Sequence, residues 1–408
     1  MGNLGINLTL PIIAMVILII FLRPTIKDGM YWKATVTPLA SIIGSGFLII
    51  APLLALVVGG AAPLAMLAIV IIAYAIGEIS RFNIRHGEPL LQSGNASIML
   101  RMSEHAANLL LSLAYVVSVA FYLRLLASFV LKAVGINTAT GAQILTTGIL
   151  LFIGYTGWKR GLIGLVRLEE YSVSVKLAII AALMLGLFNY DAVSGFSNDE
   201  LKAVSQSTWD QFRQLAGMLL VVQGFETSRY LGVEFSPELR IKTMRFAQIL
   251  SGVIYVGFII MITPLFDNFD GTRVDETAII GLVGRAAIVL PAMLVLAATM
   301  SQFSAAVADT AGAGGLVTEA SRGRITTKHA YLAVVGFGIV LVWSANIFEI
   351  ISLASRAFAA YYLIQAFVAF QISGRFSAFG SRWRGRIAFS TASILLTWVV
   401  IFALPVGQ

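Results

Sequence analysis

Apolar runs recur along the whole chain, separated by short polar segments that carry most of its charge. A helix rises about 1.5 Å per residue, so a run of about 20 residues crosses roughly 30 Å of hydrocarbon. The pattern predicts twelve spans, near 6–22, 35–58, 61–82, 106–133, 140–157, 171–190, 211–233, 243–265, 281–309, 329–346, 350–372 and 388–405. The first run follows an uncharged start, has no small-residue cleavage site after it and is closed by Arg23-Pro24, so it reads as a retained helix and not a signal peptide. The longest segments expected to be non-helical are 82–105, and 191–210 with 266–280.

Charge sorts these connections into two sets. Basic residues crowd alternate loops, among them Arg81, Arg85 and Arg101, Arg229, Arg240, Lys242 and Arg245, and Arg375, Arg382, Arg384 and Arg386. The intervening loops are acidic, with Asp191, Asp199, Glu200 and Asp210 in one and Asp267, Asp270, Asp275 and Glu276 in another. By the positive-inside rule the basic set is cytoplasmic and both termini are extracytoplasmic. An integral membrane protein is expected, in a bacterial inner (plasma) membrane.

Composition agrees: of 408 residues 58% are hydrophobic and only 12% charged, about half the charged fraction of an ordinary soluble domain. The net charge of +8 then reflects topology and contact with anionic lipid, and nucleic acid is not an expected partner. With no cysteine there are no disulfides or thiolate metal sites, and His86, His105 and His329 do not form a metal cluster. No phosphate loop and no coherent Ser/His/Asp arrangement is visible. Neither an enzyme nor a cofactor or metal is expected.

Two spans are interrupted near their middles. One contains Gly44-Ser45-Gly46, and the other, "LLVVQGFETSRYLG", contains Gly224 and Glu226. With the first helix set aside, 35–58 opens one group of five spans and 211–233 opens the next. Five is odd, so the second group enters the membrane from the opposite side, as an inverted repeat requires. The fold class expected is an all-α polytopic membrane protein with an inverted five-plus-five repeat. The domain reading is an extra N-terminal helix with its connection (1–34), a first repeat (35–190), an extracellular loop (191–210), a second repeat (211–372) and a C-terminal helix (373–408). No residue-level similarity between the halves is evident.

Unwinding at Gly44-Ser45-Gly46 would free backbone groups in hydrocarbon, at a cost of several kcal/mol each unless they face a ligand or cavity. Amides at a half-helix N-terminus suit a carboxylate, and glycine lets it approach closely. Close helix packing explains the same small residues. At Gln223-Gly224-Phe225-Glu226 the freed carbonyls could accept from an ammonium or a cation, so the two breaks together could hold a zwitterion. Glu226 could bond loosened backbone or pair with Arg229, and Phe225 could close over a ligand or be a core aromatic. Lys176 lies some eight residues into its helix, where it could snorkel to the surface or face the bundle. Ser301 and Ser304 could face it. Asp309 falls near the inner end of the 281–309 run, Glu78 and Arg81 read as a local pair, and Arg124, Arg285 and Arg356 are further charges within spans.

These residues resemble the amino acid–polyamine–organocation (APC) superfamily. "SIIGSGFLIIAPLLA" is similar to its first core helix, "VVQGFETSRYLGVEFSPELRIKTMRFA" to its sixth, "SVSVKLAIIAALMLG" to its fifth and "ADTAGAGGLVTEASRGRI" to the end of its eighth. The resemblance implies alternating-access transport, with Ile43, Gly44, Ser45 and Gly46 taking a substrate carboxylate. Gln223, Gly224 and Phe225 would take its amine, and Lys176 would link the first and eighth helices as coupling element where sodium-independent members often carry lysine. The extra first helix, the outer termini and the polar Gln223 depart from the family's usual pattern. The expected function is secondary transport of amino acids or related small solutes, proton-coupled or exchanging and sodium-independent; an inorganic cation carrier on the same fold is the alternative. A sensor would need an output domain, for which the loops are too short.

Overall fold

The computed structural model describes residues 2–44, 46–136, 138–162, 165, 168–195, 207–232, 234–268, 275–376 and 381–405. Among these the chain is helical throughout its length: α1 Gly2–Phe21, α2 Met30–Ile42, α3 Gly46–Val58, α4 Ala62–Phe82, α5 Ile98–Ala133, α6 Ala139–Arg160, α7 Leu168–Ser194, α8 Thr208–Gly217, α9 Pro237–Ile262, α10 Ala278–Ala286, α11 Leu290–Ala320, α12 Thr327–Ser344, α13 Ile347–Ser373 and α14 Arg382–Phe402. Nine helical stretches of the described residues are long and apolar enough to cross a membrane, and the one from Met30 to Gln92 contains both 35–58 and 61–82. Gly5–Phe21 is a shorter apolar helix, and 211–233 becomes α8 followed by two 3-10 turns, Leu219–Val222 and Phe225–Leu231. Each of the twelve predicted spans thus falls on helical structure, although 6–22 and 211–233 are not among the stretches long and apolar enough to cross.

Both helices expected to be interrupted are interrupted. The first stops at Ile42 and restarts at Gly46; α8 stops at Gly217, and the left-handed Gly224 separates the two 3-10 turns that follow. α11 packs along α5, which also lies against α13 and forms the centre of the bundle.

Two expectations about connections do not hold. The segment 82–105 is largely helical: α4 continues through a π-turn at Asn83–Gly87 into Glu88–Gln92, and α5 begins at Ile98 behind the Ser97 cap. Its polar residues pair inside the protein, as Asn83 Nδ2 does with Gln365 Oε1 at 2.7 Å, which a hydropathy pattern cannot register. The single span expected at 281–309 is two pieces, α10 and α11, divided where Ala287 turns extended and Pro291 occupies the first turn of α11. Arg285 therefore sits at the end of the short α10, donating to the Leu265 carbonyl at 3.2 Å, and is not within a crossing helix.

The extra helix α1 packs on α7, with Leu10 against Gly186. Its Asn7 side chain accepts from the Val289 amide at 3.2 Å, capping a donor that the turn into α11 leaves outside the helix. Trp209, Trp398 and Phe402 cluster where α8 starts and α14 ends, the kind of aromatic group that sits at a membrane–water boundary.

Candidate functional site

The two breaks lie against each other. A Cβ on Gly46 would stand 2.4 Å from the Val221 carbonyl oxygen, so only glycine lets α3 start this close to the second break. Gly224, at φ +114°, presses on the end of α2: a Cβ there would stand 2.3 Å from Ser41 Cβ and 2.6 Å from the Ser41 carbonyl carbon. The packing reading and the binding reading of these glycines therefore meet, since backbone contact between the breaks is what places their loose groups together.

Stopping α2 at Ile42 leaves carbonyls without intrahelical donors. Lys176 takes two of them, donating to Ala40 O at 2.6 Å and Ile43 O at 2.5 Å, and it lies 3.2 Å from the Ser301 hydroxyl. It is only 4% exposed, so the snorkelling alternative is excluded by geometry. Ser304 is buried one turn away, and among the described residues no hydrogen bond joins it to Lys176. The chain thus ties α7, the end of α2 and α11 through a single ammonium.

Tyr255, which carried no signal in the sequence beyond being a tyrosine in an apolar run, links the breaks directly. Its hydroxyl lies 2.9 Å from Ile42 O and 2.8 Å from Val221 O and shares its proton between them.

Glu226 binds the loosened backbone: its Oε2 accepts from the Gly224 amide at 2.9 Å and from the Tyr362 hydroxyl at 2.5 Å. It does not pair with Arg229. That guanidinium reaches Glu104 at 2.8 Å and Glu88 at 3.7 Å, and Arg240 joins the same cluster through Glu88 at 2.6 Å. Phe225 is fully buried and stacks on Tyr362, with ring centroids 5.2 Å apart. Ser45 lies outside the described residues, so of Ile43, Gly44, Ser45 and Gly46, the residues expected to take a carboxylate, three are described.

Next to Gly224 is a void of about 10 Å³, lined by Ser41, Tyr115, Tyr122, Gln223, Glu226 and Asp309 among others. Ser41, Tyr115 and Asp309 also line a cavity of about 800 Å³, whose other walls include Lys33, Leu162, Glu234, Glu319 and Tyr331 from the helix ends that carry the basic loops. Asp309 lies within α11 and not at its inner end. The Glu78–Arg81 pair forms as expected, at 2.9 Å.

A bundle of helices long and apolar enough to cross a membrane, with two interrupted segments meeting beside a small polar void that abuts a large cavity, is the arrangement of a membrane transport protein. Comparison with known proteins gives the family: the chain matches the model of an APC superfamily transporter over residues 24–403, and it belongs to that superfamily. It is also 45% identical over 394 residues to a protein of Aquifex aeolicus (strain VF5) described as an uncharacterized protein, covering 96% of this chain and 94% of that one. The protein is an integral membrane transporter of a small molecule.

Proposed function

We propose that this transporter carries amino acids or closely related small organic solutes by alternating access, coupled to protons or exchanging one solute for another, without sodium. An inverted five-plus-five repeat would supply the two arms, and the substrate would lie against the breaks where the small void adjoins the large cavity. In this reading the α3 N-terminus at Gly44 to Gly46 takes the carboxylate, backbone at Gln223 to Phe225 takes the amine, and Phe225 gates.

The observation that carries the reading is the Lys176 ammonium, held on Ala40 O and Ile43 O beside the break and within reach of Ser301 on α11. A fixed cation there does two things. It fills with positive charge the place between the first and eighth core helices where the family resemblance puts a sodium ion, and it offers a group whose proton can be gained or lost as α2 moves relative to α11. The cavity opens towards the basic-loop end, which by the positive-inside rule is the cytoplasmic side, so this conformation is inward-facing.

Purified protein in liposomes, challenged with a panel of labelled amino acids under imposed proton and sodium gradients, tests the proposal. Uptake driven by the proton gradient or by internal amino acid, and indifferent to sodium, is expected. Folded protein that moves none of them sinks the amino-acid assignment. The one-water size of the void, with two carboxylates on its wall, is the observation that favours the second reading, an inorganic cation as cargo. The same liposomes loaded with potassium or manganese separate the two.

A further inference from the structure

Resting on the amino-acid reading above, we infer that the substrate carries a second, terminal ammonium group, and that Asp309 with Gln223 is the subsite that selects it. Asp309 is 6% exposed and Gln223 4% exposed. Asp309 Oδ2 and both polar atoms of the Gln223 side chain are buried without a hydrogen-bond partner among the described residues. Both side chains line the same small void beside Glu226. Leaving such groups unmatched costs about 1–3 kcal/mol each, and more for a charged one, so their convergence marks a place meant to be filled.

The unmatched groups define what fills it. An ammonium has three N–H donors and no acceptor. Asp309 Oδ2 and Gln223 Oε1 supply two free acceptors, and the Ser41 hydroxyl is a third on the same wall. The void, about 10 Å³, holds one water-sized group, which matches an ammonium and is too small for a planar guanidinium. Because Ser41 and Asp309 also line the large cavity, the rest of a diamino substrate can lie outside the void while its end group is inside. Asp309 and Glu226 line the same void, so a cation placed there faces both carboxyl groups.

The cavity supports the same charge. It opens among the basic loops, yet its walls carry Glu169, Glu234, Asp309 and Glu319 against Lys33. A cleft lined by one sign of charge concentrates ligands of the other, and here the lining opposes the charge of the surface around it.

The experiment compares lysine with norleucine, its isostere lacking the terminal ammonium, in liposomes containing the full chain. Lysine is expected to be transported at least about tenfold more efficiently, and Asp309→Asn to bring the ratio towards one. A melting-temperature rise with lysine and not with norleucine reads the same selectivity without turnover, and Gln223→Leu, which removes the amide acceptor, is expected to reduce it. Equal handling of lysine and norleucine by the folded wild type overturns the inference and leaves the amino-acid reading standing. Response to potassium or manganese alone, with no amino acid moved or bound, overturns both.

Discussion

The Tyr255 hydroxyl lies within hydrogen-bond distance of the Ile42 and Val221 carbonyls, so a side chain of α9 ties together the two places where the membrane helices come apart. The breaks face each other across backbone–backbone contact at Gly46 and Gly224. Tyr255 gives the loosened carbonyls the donor that helix geometry has withdrawn.

Tyr255→Phe keeps the ring and removes that proton. Two buried carbonyls are then left without their donor, and a loss of about 1–3 kcal/mol is expected, read as a lower melting temperature in detergent. Substrate affinity falls with it if the breaks form the site.

Gly224→Ala is expected to be more severe. The residue sits at φ +114°, and its Cβ would overlap Ser41 in both side chain and backbone. Strain of about 1–3 kcal/mol for the dihedral alone, added to the overlap, separates α2 from the second break. The check is a melting curve together with ligand binding; wild-type binding would show that the contact is not needed for the site.

Lys176→Gln retains a polar group of shorter reach and removes the charge that holds Ala40 O and Ile43 O. Transport is expected to fall at least about tenfold, the scale of one charge-assisted bond, and to lose its dependence on pH. An unaltered pH profile in liposomes would remove the coupling role from this residue.

Arg229 and Glu104 are 6% and 17% exposed in their side chains, so removing one partner leaves the other nearly buried. Arg229→Gln is expected to cost about 3–5 kcal/mol. Adding Glu104→Gln should recover part of that loss, which a double-mutant cycle on melting temperatures measures.

Acid stability is expected to depend on Asp275, in the connection before α10. Burial pushes its carboxyl up, but the Thr277 hydroxyl and amide and the Lys132 ammonium outweigh this and hold it below the ordinary carboxylate value. A depressed folded-state value means the contribution is present above the unfolded value near 4 and is lost as pH falls through the folded one. Asp275→Asn should therefore lower the melting temperature at neutral pH and make little difference in strong acid.

Much of the candidate site was legible before any fold was known. Gly44, Gly46 and Gly224 stand out because glycine inside a long apolar run has a conformational reason to be there, and Lys176 and Glu226 because a charge at bilayer depth needs one too. Less legible was what each charge would hold. Glu226 had Arg229 three residues away as an obvious partner, yet it takes the Gly224 amide and the Tyr362 hydroxyl. Arg229 instead goes to Glu88 and Glu104, which lie in a segment whose polarity suggested a loop.

The sequence by itself determined that the chain crosses a membrane repeatedly, where its helices break, and which few polar residues sit at depth. Each of these follows from composition and spacing within some twenty neighbouring residues, the length over which hydrocarbon thickness acts. Only the tertiary structure decided that Lys176 closes the end of α2, that Tyr255 bridges both breaks and that Asp309 opens onto the void beside Gln223. Lys176 and Ala40 are 136 positions apart, and Tyr255 and Ile42 are 213. Pairings at such separations are fixed by how the helices pack and by the need to satisfy every buried polar group, and that packing leaves no mark on the local pattern.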